Sequence, residues 1–189
     1  MGLILRQNVV VPYLIFVTIL TVERLFATFF RHNAKNYREK SQKLYQPILY
    51  VLIAGYCTAV LISMYEFLFL RDKISLLISA IGLAILCLGI YVRNKAISTL
   101  NGSWSLAIEV FSNQVLITTG IYNKLAHPYY LAVVLELIGF SLVSNAYRAV
   151  LFILFFQVPT ILVRIFLEER VLLRKFGDRY AQYKYNTLL

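Results

Sequence analysis

The chain has 189 residues, of which 60% are hydrophobic and 15% are charged, and its formal net charge is +10. A soluble domain of this length cannot bury so much apolar surface, so the composition excludes an ordinary water-soluble fold and predicts helices that face lipid. The positive charge does not indicate nucleic-acid binding, because the cations flank apolar segments, where they would equally attract anionic lipid.

Five apolar segments have roughly the length that a helix needs to cross a hydrocarbon core. In chain order they run from about Val9 to Phe30, Tyr45 to Leu70, Ile74 to Val92, Tyr129 to Ala146 and Ala149 to Leu167. The turn between the last two, around Tyr147 and Arg148, is too short for anything but antiparallel neighbours. We therefore predict an all-α, polytopic membrane protein with about five transmembrane helices, the last two forming a helical hairpin.

Lysine and arginine are distributed unevenly between the two ends of these segments. Thirteen, including Arg93, lie in the loops and tail on one side, and four lie on the other. Cytoplasmic loops carry the excess of Lys and Arg, so we expect the N-terminus outside and the C-terminus in the cytoplasm. The N-terminus lacks the pattern of a cleaved signal peptide, and the first segment is expected to remain as an anchor.

The chain shows no internal repeat and is expected to form a single integral membrane domain over residues 1–189. Residues 1–97 hold the first three helices, and residues 98–189 hold a loop, the last two helices and a cytoplasmic tail. From Arg170 onward, aromatic and apolar residues at helical spacing alternate with cations, which predicts an interfacial amphipathic segment. The two histidines and two cysteines lack metal-ligand spacing, so no metal site is expected.

The stretch from Thr119 to Tyr130, directly before the fourth segment, is rich in Gly, His, Pro and Tyr. Pro128 suits the first turn of a helix, where its missing N–H is no loss, and His127 then lies near the cap. The simplest interpretation is the start of a membrane helix with interfacial tyrosines.

The fifth segment contains Arg164 and ends in Glu168 and Glu169. An ionisable residue inside a membrane segment is costly and by default indicates function. The predicted hairpin returns both carboxylates to the face where His127 and Tyr130 lie. The alternative is structural, since Arg164 and Glu168 have the i,i+4 spacing of a helical ion pair.

Together these motifs resemble the signature of the isoprenylcysteine carboxyl methyltransferase family, which is related to the phosphatidylethanolamine N-methyltransferases. The signature is R-H-P-x-Y, a hydrophobic stretch and E-E, and here it reads Ala126-His127-Pro128-Tyr129-Tyr130, an apolar hairpin and Glu168-Glu169. The resemblance extends over Asn101-Gly102-Ser103-Trp104-Ser105, Gly120-Ile121-Tyr122 and Phe176-Gly177-Asp178-Arg179-Tyr180. Ala126 stands where the family has arginine.

The resemblance implies a methyltransferase that uses S-adenosylmethionine. The residues it implies for donor binding are His127, Pro128, Tyr130, Tyr122, Glu168, Glu169 and Trp104. It also implies a lipophilic or prenylated acceptor that enters from the bilayer. A carboxylate acceptor is already ionised at neutral pH, and Arg164 could orient it by a charge-assisted bond. For a phenol, thiol or amine, Glu168 is the nearest candidate base, so Arg164 and Glu168 are the expected catalytic residues.

Three other functions stay open at this point. The chain could methylate a phospholipid or another lipid at nitrogen, oxygen or sulfur. It could be an NADPH-dependent membrane reductase, because sterol reductases share part of the C-terminal signature, although they are typically much longer. It could also be a non-catalytic lipid-binding protein, an interpretation that Ala126 favours.

Further charged residues lie within the apolar segments, among them Glu23, Arg24 and Glu136. Glu136 is expected either to face an acceptor cavity or to bond to a neighbouring helix. Glu23 and Arg24 are expected either to pair with other helices or to mark the cytoplasmic end of the first helix, and the second interpretation is favoured.

Overall fold

The computed structural model describes residues 3–29, 42–100, 105, 108–110 and 115–188. Its helices are α1 (Val10–Phe29), α2 (Gln46–Tyr65), α3 (Leu76–Leu100), α4 (Pro128–Val143), α5 (Tyr147–Phe152), α6 (Val158–Phe176) and α7 (Asp178–Tyr185). Four short strands form two antiparallel pairs, in which β1 (Leu3–Leu5) joins β3 (Lys73–Ser75) and β2 (Gln42–Leu44) joins β4 (Ile108–Val110). These strands differ from the predicted all-α fold.

Two of the helices are extended by π-helical turns. The turn Glu66–Leu70 continues α2, and the turn Ile153–Gln157 joins α5 to α6. Within the described residues, three helices are long and apolar enough to cross a membrane, namely Gln46–Leu70, Leu76–Leu100 and Tyr147–Phe176. In the most apolar stretch of 18 residues of each helix, at most 22% is buried inside the protein. These helices therefore present apolar side chains to their surroundings. The chain is therefore an integral membrane protein.

Glycines allow α3 and α4 to approach closely. A Cβ atom added at Gly82 would lie 2.5 Å from the backbone nitrogen of Val143, and one added at Gly139 would lie 2.5 Å from that of Leu86. Small residues at helix contacts are the usual way in which membrane helices pack backbone against backbone. This contact brings Arg93 of α3 beside Glu136 of α4.

Polar bonds fix the turn from α4 to α5. Asn145 has a left-handed backbone with φ of 52°, and its side chain accepts from the Ser75 N–H at 3.0 Å and donates to the Ser79 hydroxyl at 2.8 Å. The buried Glu66 carboxylate accepts from the backbone N–H groups of Arg148 and Ala149, which start α5 and have no helical partner. The turn thus occupies Ser144–Ala146, a few residues before its predicted place.

The predicted end of the third helix at Val92 is wrong, because α3 runs on to Leu100. Arg93 is only 1% exposed, so it is not the loop cation that the charge count assumed. Its guanidinium pairs with carboxylates of two other helices, which compensates the cost of burying its charge.

The C-terminal tail turns back onto the loop before α4. Helix α6 ends at Phe176, and Gly177, with φ of 55°, breaks the chain direction before α7. Beyond α7 the backbone of Leu188 donates to Lys124 at 2.9 Å and accepts from Ala126 at 3.0 Å. The tail is therefore tied to the segment that carries the predicted motif.

Candidate functional site

The start of α4 holds the first half of the site. His127 is the N-cap residue and Pro128 takes the first position, where its missing N–H leaves no helical bond unmade. Both side chains are buried. Tyr130 follows within the first turn, and its ring centroid lies 5.9 Å from that of His127.

The two carboxylates near the end of α6 meet these residues, as the sequence predicts. The Tyr130 hydroxyl donates to Glu168 Oε2 at 2.5 Å, and His127 Nε2 lies 3.2 Å from Glu169 Oε1. Lys184 of α7 contacts the same Glu169 oxygen. We call these five residues the carboxylate cluster.

Arg164 lies beside this cluster in α6, with only 4% of the residue exposed. Its Nε donates to the Tyr130 hydroxyl at 2.7 Å, and its guanidinium carbon is 5.8 Å from the centre of the Tyr130 ring. The Tyr130 hydroxyl therefore bridges Arg164 and Glu168, and the connection between these two residues runs through α4.

Tyrosines of the tail close the site from one side. The Tyr183 hydroxyl donates to the Tyr122 carbonyl oxygen at 2.7 Å, and burial raises the pKa of Tyr183 to about 12. Burial also raises the pKa of Tyr122 and of Tyr180, so all three phenols stay protonated at neutral pH. The Tyr180 hydroxyl is buried without a partner among the described residues, near the charges of both carboxylates.

The tail residues Tyr180, Tyr183 and Lys184 also lie at the site, although no sequence pattern predicted them as members of it. The helical spacing of the tail tyrosines predicts an amphipathic segment, and Gly177 suggests either a joint that folds the tail back or a simple break, but neither pattern identifies individual site residues. Trp104, which the sequence predicts as a donor-binding residue, lies outside the described residues.

A cavity of about 630 Å³ lies between five helices. They are α1, α2, α3, α4 and the continuous helix that α5, the π-helical turn Ile153–Gln157 and α6 form together. Its wall is mainly apolar and includes Val60, Val133, Leu137, Phe140 and Ile161. Tyr130 and Arg164 also line it, whereas in the part of the chain that the structure describes His127, Glu168 and Glu169 do not. Tyr130 and Arg164 thus stand at the boundary between this interhelical cavity and the carboxylate cluster.

Four charges form a second polar group on the cavity wall. Arg24 of α1 donates to Glu136 Oε2 at 2.6 Å, and Arg93 donates to the same oxygen at 3.2 Å and to Glu23 Oε1 at 2.5 Å. Glu23 and Arg24 both pair with other helices, which is the less favoured of the two interpretations that the sequence allowed. The expected bond from Glu136 to a neighbouring helix is confirmed, since it bonds to α1 and α3, and Glu136 also lines the interhelical cavity.

The fold and the site define a class of protein: an integral membrane helical bundle with a polar cluster beside a cavity large enough for a lipid chain. Residues 80–174, about half of the chain, match the model of the isoprenylcysteine carboxyl methyltransferase (ICMT) family. The chain belongs to this family, which confirms the resemblance drawn from the sequence.

Two relatives and a solved structure show how far the similarity extends. A Schizosaccharomyces pombe protein named protein-S-isoprenylcysteine O-methyltransferase is 34% identical over 110 residues, covering 54% of this chain and 44% of the relative. A Tribolium castaneum protein of the same name is 30% identical over 115 residues, covering 57% and 39%. The structure of a eukaryotic intramembrane Ras methyltransferase ICMT superposes with a TM-score of 0.57 at 26% identity, covering 76% of this chain and 51% of that one. The chain thus spans about half or less of the length of each.

Proposed function

We propose that this chain is an S-adenosylmethionine-dependent methyltransferase that esterifies the carboxylate of a lipophilic, prenylcysteine-type acceptor. The observation that carries the proposal is the position of Tyr130 and Arg164, between the carboxylate cluster and the interhelical cavity. Such a boundary is where a polar donor and a lipid acceptor would meet. The names of the two relatives support a carboxylate as the methylated group.

The residues of the carboxylate cluster suit the proposed donor. S-adenosylmethionine carries ribose hydroxyls and an ammonium group, and a carboxylate offers about four acceptor positions. Among the residues that the structure describes, Glu168 accepts one hydrogen bond, from Tyr130, and so keeps capacity for a ligand. The buried Tyr180 hydroxyl is a further polar group without a partner in the described part of the chain. We assign Glu168 and Glu169 to these polar donor groups.

The remaining donor contacts are assigned by position. His127, Pro128 and Tyr130 lie at the start of α4, and Tyr122 lies in the preceding 3-10 turn (Gly120–Asn123). We propose that these four residues, together with Trp104, contact the adenosine or amino-acid portion. When bound, S-adenosylmethionine supplies an electrophilic methyl group on a sulfonium.

For methyl transfer, this chain mainly has to align the methyl donor with the acceptor and to exclude water. A carboxylate acceptor is ionised at neutral pH, so no side chain has to remove a proton. Arg164 is the charge that can orient it, because a buried guanidinium binds a carboxylate strongly and in a defined geometry. Its hydrogen bond to Tyr130 fixes the direction of that guanidinium.

The acceptor is proposed to enter sideways from the bilayer. Three residues of the α2 wall of the cavity are exposed to the surroundings, namely Ile53, Cys57 and Leu61. A hydrocarbon chain could pass beside them without crossing the aqueous phase. Such lateral entry fits an arrangement of five spans in which α1 and α4 also lie in the bilayer.

The orientation is proposed from the loop charges, with the C-terminus in the cytoplasm. A reporter fused after Leu189 is therefore expected to read cytoplasmic, and one inserted at Asp72 is expected to read external. Both positions can be tested in the same cells with a paired phosphatase and fluorescent-protein reporter. The reverse pattern would place the carboxylate cluster away from the cytosolic donor and would contradict this orientation.

The ligand that the protein binds distinguishes a methyltransferase from a reductase and from a non-catalytic lipid-binding protein. We expect calorimetry on the purified protein in nanodiscs to show saturable binding of S-adenosylmethionine and none of NADPH. Binding of NADPH instead would indicate a reductase, and binding of neither would favour a non-catalytic lipid-binding protein.

A further inference from the structure

The C-terminal tail brings the charge of Lys184 into the carboxylate cluster. The Lys184 ammonium contacts the same Glu169 oxygen that His127 Nε2 approaches at 3.2 Å. This contact leaves 43% of the Lys184 side chain exposed, against 13% of that of Glu169. An ammonium group carries three N–H donors, and in the described part of the chain Glu169 alone accepts from this one. Lys184 therefore keeps donors for a ligand.

Backbone and side-chain bonds on both sides of Lys184 hold the tail in this position. The preceding residue, Tyr183, donates its hydroxyl to the Tyr122 carbonyl oxygen at 2.7 Å. Nearer the end of the chain, the Leu188 carbonyl oxygen accepts from the Ala126 N–H at 3.0 Å. The ion pair of Lys184, being partly exposed, adds little to stability. The fold thus places the lysine without needing its charge.

The place where the tail binds is also the place where the family signature has a positive charge. The signature puts arginine directly before the histidine, and this chain has Ala126 there. Lys184 brings a cation to this segment from another part of the chain. Among the described residues it is the lysine or arginine that contacts Glu169, whereas Arg164 lines the interhelical cavity.

The proposed methyl donor has a group that needs such a cation. S-adenosylmethionine carries one anion, the carboxylate of its amino-acid portion, and this carboxylate shares a carbon atom with the ammonium group. If Glu168 or Glu169 binds the ammonium, the ligand carboxylate comes close to like charges, which repel it. A positive side chain beside Glu169 offsets the repulsion and offers a charge-assisted hydrogen bond.

We propose that Lys184 is a donor-binding residue that pairs with the carboxylate of the amino-acid portion of S-adenosylmethionine. Glu169 and Lys184 then act as a complementary pair, in which the glutamate binds the ammonium and the lysine binds the carboxylate of one amino acid. The pair should select ligands that carry both groups. The identification of this ligand as S-adenosylmethionine rests on the proposed function.

The binding of two analogues tests the role of Lys184 without methyl transfer. The probes are S-adenosylhomocysteine and its decarboxylated counterpart, which keeps the adenosine, the thioether and the ammonium but lacks the carboxylate. Calorimetry on the full chain in nanodiscs measures the affinity of each, and the ratio of the two dissociation constants is the readout. A lysine that only stabilised the tail would affect both ligands alike.

We expect the wild-type protein to bind S-adenosylhomocysteine about tenfold more tightly than the decarboxylated ligand, as one charged hydrogen bond would give. Lys184→Met should abolish this preference, because both glutamates then act on the ligand carboxylate without a compensating cation. Should Lys184→Met fail to fold, Lys184→Gln keeps a hydrogen-bond donor for Glu169 and is expected to reduce the preference.

Lys124→Met is the matched control. It removes an exposed lysine next to the tail contact, and within the described residues the Lys124 side chain contacts neither glutamate. The preference should therefore persist in this variant. If Lys124→Met lost the preference as fully as the Lys184 variant, the effect would come from net charge, and the assignment of Lys184 would be wrong.

Two further results would overturn the inference and leave the proposed function intact: no preference of the wild type for S-adenosylhomocysteine, or an unchanged preference in the foldable Lys184 variant. The proposed function fails separately. If the preference depends on Lys184 but no methyl group is transferred, Lys184 keeps its assigned role and the methyltransferase proposal is wrong. If the wild type binds neither ligand, both the donor and the role of Lys184 are wrong.

Discussion

Replacing Glu168 by glutamine is expected to weaken binding of S-adenosylmethionine by about 1–3 kcal/mol, the value of a charged hydrogen bond. The substitution keeps the shape of the side chain, and the amide oxygen can still accept from the Tyr130 hydroxyl. The link from Tyr130 to α6 should therefore survive, and the fold with it. The loss is expected because a neutral amide binds hydroxyl or ammonium donors more weakly than a carboxylate does.

Calorimetry on the folded variant measures this change, with Asp178→Asn as the control. Asp178 is an exposed carboxylate at the start of α7, so its neutralisation removes the same charge close to the same end of the chain. Equal losses in both variants would mean that the effect comes from net charge. Unchanged donor affinity in Glu168→Gln would remove Glu168 from the donor site.

Replacing Arg164 by methionine is expected to lower methyl transfer about 100-fold, because a misoriented acceptor loses the alignment that the reaction needs. Folding should survive, since methionine fills a similar apolar volume and carries no charge that needs compensation. Donor affinity should change little, because Arg164 faces the cavity and Glu168 lies on the other side of the Tyr130 hydroxyl. Steady-state kinetics with varied acceptor and varied donor separate these effects.

The hydrogen bond between Arg164 and Tyr130 calls for a second variant. Tyr130→Phe removes the bridging hydroxyl and keeps the ring, so it shows how much of the Arg164 effect passes through Tyr130. Arg170→Met is the matched control, since Arg170 is an exposed arginine of the same helix that also lies over an aromatic ring, that of Phe166. If Arg164→Met lost donor affinity as severely as Glu168→Gln, Arg164 would be a structural partner of the donor site, and Arg24 would be the next candidate for orienting the acceptor.

Most of the helices could be predicted from apolar stretches long enough to cross a membrane, because bilayer thickness constrains the length of such stretches strongly. The second segment, predicted from Tyr45 to Leu70, begins within one residue of α2, and its end coincides with the last residue of the π-helical turn. The meeting of His127 and Tyr130 with Glu168 and Glu169 was also predicted, because a short turn makes two helices antiparallel. Five spans and the cytoplasmic C-terminus remain predictions.

Buried charges were the main source of error. Arg93 looks like a loop cation in the sequence, because hydropathy treats every arginine as a break in a membrane segment. Its partners Glu23 and Glu136 lie on helices far away in the sequence, and no local pattern reveals such pairing. Lys184 and Tyr180 were not predicted as site residues for a related reason: they reach the site only because Gly177 turns the chain back.

The most direct test of the central claim is transfer of a labelled methyl group from S-adenosylmethionine to a prenylated cysteine acid by the purified chain in nanodiscs. The product should release labelled methanol on treatment with base, because a methyl ester hydrolyses and a methyl amine, ether or thioether does not. Glu168→Gln with limiting donor should reduce the signal. A base-stable labelled product would contradict a carboxylate acceptor, and no labelled product with the wild-type protein and saturating donor would contradict methyl transfer to prenylcysteine acids.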